Sequence, residues 1–91
     1  MFLEIVSPEA TLFAGEVTSV TVPGINGEFQ MLKDHAPVVS LLQQGKVKID
    51  GDISISEVHE AKFKKENGKT VLPIASGTIE MKDNKIIVLA D

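Results

Sequence analysis

The stretch KVKIDGDISIS, Lys46–Ser56, alternates apolar and polar side chains with a period of two. Val47 and Ile49 fall on one face, and Lys46, Lys48 and Asp50 on the other. After the turn residues Asp50-Gly51-Asp52 the pattern repeats with Ile53 and Ile55. A strand sends successive side chains to opposite faces, so this alternation predicts strands with one face on a core. The same period extends outward in both directions. In FLEIV, Leu3 and Ile5 oppose Phe2, Glu4 and Val6; in VTSVTV, Val20 and Val22 oppose Ser19 and Thr21; in TIEM, Ile79 and Met81 oppose Thr78 and Glu80. KIIVLA, Lys85–Ala90, is nearly all apolar and β-branched, which predicts a strand buried on both faces.

Turn signals separate these runs at intervals of roughly eight to twelve residues, the spacing of an all-β sandwich or barrel made of hairpins. They include Ser7-Pro8, Pro23-Gly24, Asn26-Gly27, Asn67-Gly68 and Asp83-Asn84. Asn67-Gly68 suits a primed two-residue turn, whose central residues both need positive φ. Pro73 cannot donate to a ladder, so VLPIA is expected at an edge or a bulge. EVHEAKFKKEN, Glu57–Asn67, fits neither strand nor helix period and reads as the outer part of a long exposed hairpin. With no repeat, linker or low-complexity tract, residues 1–91 read as one domain, with that extension at about 50–67.

Composition narrows the function classes. The nine basic residues are all lysine, and thirteen acids bring the net charge to −4. A nucleic-acid partner calls for a basic face and usually for arginine forks, so that class is set aside. There is no cysteine, which removes thiolate chemistry, disulfides and cysteine-held zinc. No apolar run approaches the ~18 residues of a membrane-spanning helix. MFLEIVSPEA has neither basic flank nor apolar h-region, so no signal peptide is expected, and the chain reads as soluble or peripheral.

The polar residues crowd into PGINGEFQMLKDHAP, Pro23–Pro37. Asp34, His35 and Ser40 suggest a nucleophile with its base, but neighbours on a strand diverge and an odd separation puts His35 and Ser40 on opposite faces. His35 and His59 show no paired metal spacing, and the acids form no calcium loop. No helix or lysine follows PGINGE in the manner of a phosphate loop. No catalytic residue, cofactor or metal is therefore expected. Lys33 leaves two alternatives: a lipoyl- or biotinyl-type carrier domain modified there, or a β-sandwich binding module. Carrier domains set their lysine as Asp-Lys-Ala or Met-Lys-Met, whereas this chain reads Leu32-Lys33-Asp34.

Three ordered blocks carry a resemblance: FLEIVSPEATLFAGEV, PGINGEFQMLKDHAPVVSLLQQGKVKI and LPIASGTIEMKDNKIIVLAD. Together they resemble the ε subunit of F-type ATP synthases, the central-stalk subunit called δ in mitochondria. The resemblance covers the chain except about residues 50–67. It implies a two-sheet β-sandwich of about ten strands. It implies a non-catalytic rotor subunit that grips the γ shaft and touches the membrane c-ring, coupling ion flow to ATP synthesis. Such a subunit would sit peripherally on the cytoplasmic side of a bacterial inner membrane. Ser7, His35 and Ser40 match positions that face γ, and Ala36, Pro37 and Val38 would give that contact a dry centre. Glu28, within Gly27-Glu28-Phe29, matches a position that meets the c-ring loop. The sequence ends at Asp91, so no C-terminal helical domain is expected. Lys33-Asp34 stands where the family usually has Pro-Gly, Gln30 where it commonly has Gly, and the 50–67 segment is longer than usual.

Overall fold

The computed structural model describes residues 1–91 and is all-β, with ten strands in one curled sheet. They are β1 (Phe2–Val6), β2 (Thr11–Glu16), β3 (Ser19–Gly24), β4 (Gly27–Met31), β5 (Val38–Leu42), β6 (Gly45–Asp50), β7 (Lys64–Glu66), β8 (Lys69–Ile74), β9 (Gly77–Lys82) and β10 (Lys85–Ala90). The hydrogen-bonded order is β2-β1-β10-β9-β5-β3-β6-β8-β7, with β4 on the other side of β3. β3 and β5 share a single register pair, Gly24 with Leu42. On either side of it the sheet divides into two layers, β2-β1-β10-β9-β5 and β4-β3-β6-β8-β7, the sandwich expected from the sequence.

The alternating positions supply the core between the layers. Leu3, Ile5, Ile79, Met81, Ile86 and Val88 from the first layer meet Val20, Val22, Met31, Val47, Ile49 and Leu72 from the second, all buried. Removing such side chains from water is the main favourable term, about 1.5–3 kcal/mol for each Val, Leu, Ile or Met fully buried. Asn67 and Gly68 take φ of 51° and 78°, the primed turn expected between β7 and β8; Asp83 and Asn84 form another at 53° and 60°. Pro73 lies beyond the reach of β7, which pairs only with Lys69–Val71, so its missing N–H falls on an open edge of β8.

Three expectations fail locally, in Ile53–Ser56, in KIIVLA and in β3. Ile53–Ser56 alternates as cleanly as β6 but has no ladder partner; it runs as irregular chain, with Ile53 and Ile55 packed half-buried against the core. Alternation reports which face is apolar, not whether a neighbouring strand is available. Glu57–Asn67 lies in the connection between the antiparallel strands β6 and β8: a turn leads into a single 3-10 turn at Glu60–Lys62, and β7 then pairs with β8. KIIVLA is central in its layer but covered on one face only. Ile86, Val88 and Ala90 are buried, whereas Ile87 is half-buried and Leu89 exposed. Conversely every residue of β3 is buried, including Ser19 and Thr21 on the face read as outward.

The fold-over depends on Gly24. A Cβ there would lie 2.8 Å from the Gly27 carbonyl oxygen and 2.8 Å from the Phe29 ring. Gly24→Ala is expected to destabilise the chain by about 1–3 kcal/mol through overpacking, read as a lower urea midpoint at unchanged slope.

Candidate docking site

β4 joins the two groups of residues singled out in Pro23–Pro37. At its start, the β3–β4 connection turns through Ile25 and Asn26, and Gly27 takes φ of +122°, a conformation that disfavours side chains. Glu28 then projects outward with Gln30, while Phe29 and Met31 point to the core. Of the three residues expected at the ring contact, only Glu28 therefore offers a free polar group outward; the Phe29 ring is half-buried against the core and closes over Gly24. Glu28 Oε2 lies 3.2 Å from Lys48 Nζ on β6, both side chains partly exposed. Its charge is thus half-spent on a neighbour.

At the other end of β4, Leu32–Pro37 forms an exposed loop. The His35 N–H donates to the Leu32 carbonyl at 3.1 Å, closing a tight turn in which Asp34 takes φ of 64°. Lys33 sits in that turn, exposed. His35 Nδ1 lies 2.7 Å from the Ala36 carbonyl; an oxygen acceptor requires Nδ1–H there, which leaves Nε2 facing outward as an acceptor in the neutral ring. Ala36 and Pro37 are exposed. Val38 packs against the core, and Ser40 Oγ donates to the Leu41 carbonyl at 3.1 Å. Asp34 bonds to Asn84 rather than to His35. Asp34, His35 and Ser40 are thus committed to three separate partners and form no relay.

Ser7 is at the far end of the same layer. β1 runs parallel to β10 and pairs Val6 with Leu89, beside Gly77 and Leu42, whereas His35 lies by the β9–β10 turn. The Ser7 hydroxyl donates to the Ala10 carbonyl at 3.2 Å and accepts from the Ala10 N–H at 3.3 Å, holding the turn after β1. A partner reaching both Ser7 and His35 must span the length of a strand, about 17 Å for five residues.

Between those two ends lies a surface that the sequence reading missed. Val39 and Leu41 alternate outward from Val38, Ser40 and Leu42 and are 78% and 59% exposed. Register aligns Leu41 with Thr78, Leu89 and Val6, and Val39 with Glu80, Ile87 and Glu4. Leu89 is 51% exposed, as is Ile25, whose N–H donates to the Leu41 carbonyl at 3.2 Å. Ile25, Leu41 and Leu89 thus form an apolar band next to the β3–β4 turn, continued by Val39 and crossed by two carboxylates. The signal was present in VVSLL, where Ser40 alternates with apolar residues on both sides and marks the face opposite as apolar too.

Residues 1–60 match the family model of the ATP synthase delta/epsilon chain β-sandwich domain. The chain belongs to that family. It is 40% identical over 89 residues to the ATP synthase epsilon chain of Chlorobaculum tepidum, covering 98% of this chain and 86% of the relative. The epsilon chain of Wolinella succinogenes is 38% identical over 90 residues, but this chain spans only 58% of its length. A chain in the cryo-EM structure of the Tetrahymena thermophila mitochondrial ATP synthase central stalk and c-ring shares the fold. Its TM-score is 0.74, with 13% identity, over 99% of this chain and 62% of that one. A chain of the Euglena gracilis mitochondrial enzyme gives a TM-score of 0.73 at 19% identity, over 97% of this chain and 48% of that one. The fold is thus kept at low identity, as a packed two-layer core allows when pattern and volume are retained.

The Glu28–Lys48 pair is a surface pair and contributes little to folding. Lys48→Ala is expected to change unfolding free energy by less than about 1 kcal/mol in urea titration, so an effect of this variant on assembly would report on docking.

Proposed function

We propose that the chain is a non-catalytic rotor subunit of an F-type ATP synthase, set in the central stalk between the γ subunit and the c-ring. It would lie peripherally on the cytoplasmic side of a bacterial inner membrane. In that role it carries torque: ion flow turns the ring, and the sandwich ties ring to shaft so that the rotation reaches the ATP-forming head. Family membership supports the assignment to the synthase, and the central-stalk assembly named for the Tetrahymena structure is consistent with the place.

The observation that carries the docking role is the uncovered apolar face. A central strand as apolar as β10 is ordinarily covered on both sides, yet Leu89 is left in solvent beside Leu41, Val39 and Ile25. Such a band gives a dry interface centre, and the surrounding polar groups supply its rim. We assign this face to γ, with Val39 and Leu41 as its anchors in place of the inward-turned Val38 and Ser40. His35, Ala36 and Pro37 bound it at one end and Ser7 at the other. Glu28, on the other layer beside the β3–β4 turn, is assigned to the c-ring loop with Gly27; Phe29 supports that turn from within. Its carboxylate acts through register and encounter rate more than raw affinity.

Val39→Thr/Leu41→Gln is expected to weaken binding to the cognate γ subunit by roughly tenfold to a hundredfold, since each decade is about 1.4 kcal/mol. Both side chains already face solvent, so the thermal midpoint should stay nearly unchanged. Calorimetric titration beside a thermal melt reads both, and undiminished affinity would remove γ from this face. Glu28→Lys is expected to lower the coupling of ion flow to ATP turnover in reconstituted enzyme. Glu28→Lys/Lys48→Glu restores the pair within the sheet and should remain uncoupled. Recovery in the double variant would mean that Glu28 serves the fold and not the ring.

A further inference from the structure

Lys33-Asp34 occupies the turn that leads into His35-Ala36-Pro37, and the structure gives Asp34 a use. The turn closed by the His35 N–H requires a residue at positive φ, which Asp34 fills at 64°. Its backbone N–H donates to Asn84 Oδ1 at 2.6 Å, and Asn84 Nδ2 donates back to Asp34 Oδ1 at 2.8 Å. The two bonds close a ring between residues 50 positions apart. Asn84 is itself held at φ of 60° in the β9–β10 turn, whose flanking strands pair through six successive residues. Every residue from Leu32 to Pro37 is exposed, and the one backbone bond inside the loop is local. Among the hydrogen bonds of Lys33–Pro37, only those of Asp34 reach a distant part of the chain.

We infer that Asp34 and Asn84 form a clasp that pre-organises the His35-Ala36-Pro37 loop for docking. Both are positioning residues: they act through the loop and make no contact with the partner themselves. The inference rests on the assignment of that loop to γ. An unclasped loop must be ordered on binding, and the fraction already in the docking geometry scales the observed affinity directly. The clasp needs an amide on at least one side: an aspartate opposite a second aspartate has no side-chain donor and repels, whereas Asp34→Asn alone, or exchanging the two residues, keeps both bonds.

The test is a four-member cycle: the unmodified chain, Asn84→Asp, Asp34→Asn, and Asp34→Asn/Asn84→Asp. Each is measured for affinity to cognate γ and for amide hydrogen exchange of the free chain. Asn84→Asp should weaken γ binding by about three- to thirtyfold. It should speed exchange at His35 while the amides of Val38–Leu42 stay protected. The exchanged pair, which carries the unmodified net charge, should recover both. Faster exchange at His35 with unchanged affinity overturns the clasp as a docking device. So does loss of affinity that the exchanged pair fails to restore. If the unmodified chain does not bind γ at all, the docking assignment of the loop falls, and the clasp's role with it.

Discussion

One crossing point governs the geometry. The two layers of the sandwich are continuous through a single register pair, Gly24 with Leu42. The crossing is held by the Ile25 N–H on the Leu41 carbonyl, the Gln43 N–H on the Pro23 carbonyl, and the Gln43 side-chain amide on the Gly24 carbonyl. No side chain fits at Gly24, because the Gly27 carbonyl and the Phe29 ring already occupy the space. The sheet can therefore fold over there. Doing so brings the tip of the β3–β4 hairpin against the outer side of β5. Ile25 reaches Leu41 for this reason, and the surface assigned to the shaft begins next to the turn assigned to the ring.

The torque-carrying contact proposed above would need stiffness more than affinity, because it would transmit force. The arrangement provides it in backbone rather than in long side chains. Glu28 stands on a strand paired along its full length with β3, and Val39 and Leu41 stand on a strand paired along its full length with β9. The lysine–glutamate pairs on the second layer, Lys48–Glu28 and Lys46–Glu66, are partly exposed surface pairs. Such pairs tune orientation and encounter without adding much to stability. The absence of arginine fits this division: no planar, bidentate anchor is present, and the apolar band carries the centre of the surface.

Much of the fold is legible in the chain because its strands are half-buried. FLEIV, KVKID and TIEM each declare one core face, and Asn67-Gly68 declares its turn through the backbone conformation it must adopt. What the sequence leaves hidden is pairing. DISIS has the periodicity of a strand and no neighbour to bond. KIIVLA has the composition of a fully covered strand and a face open to solvent, and that discrepancy points to the docking surface. The site follows the same rule. Residues legible by resemblance, such as His35 and Glu28, do project outward. Phe29 and Val38 turn inward because the period of two assigns them to the core. The meaning of Lys33-Asp34 depends on Asn84, whose proximity arises only from how β4, β9 and β10 are arranged in space.

The parallel pairing of β1 with β10 has a temporal consequence. Of the ten strands, β1 is made before β10, yet it lies between β2 and β10, and β10 bridges β1 to β9. Until β10 has been synthesised, β1 is paired only with β2 and β9 only with β5, and the first layer cannot close over Leu3, Ile5 and Ile79. Five of the nine strand pairings join strands that are not consecutive, a topology that folds slowly and leaves strand edges open in the interval. Newly made chains would thus pass through a stage in which β1 and β9 each leave one edge open. Leu89 lies on β10, so the apolar band proposed for docking is incomplete until that strand is in place.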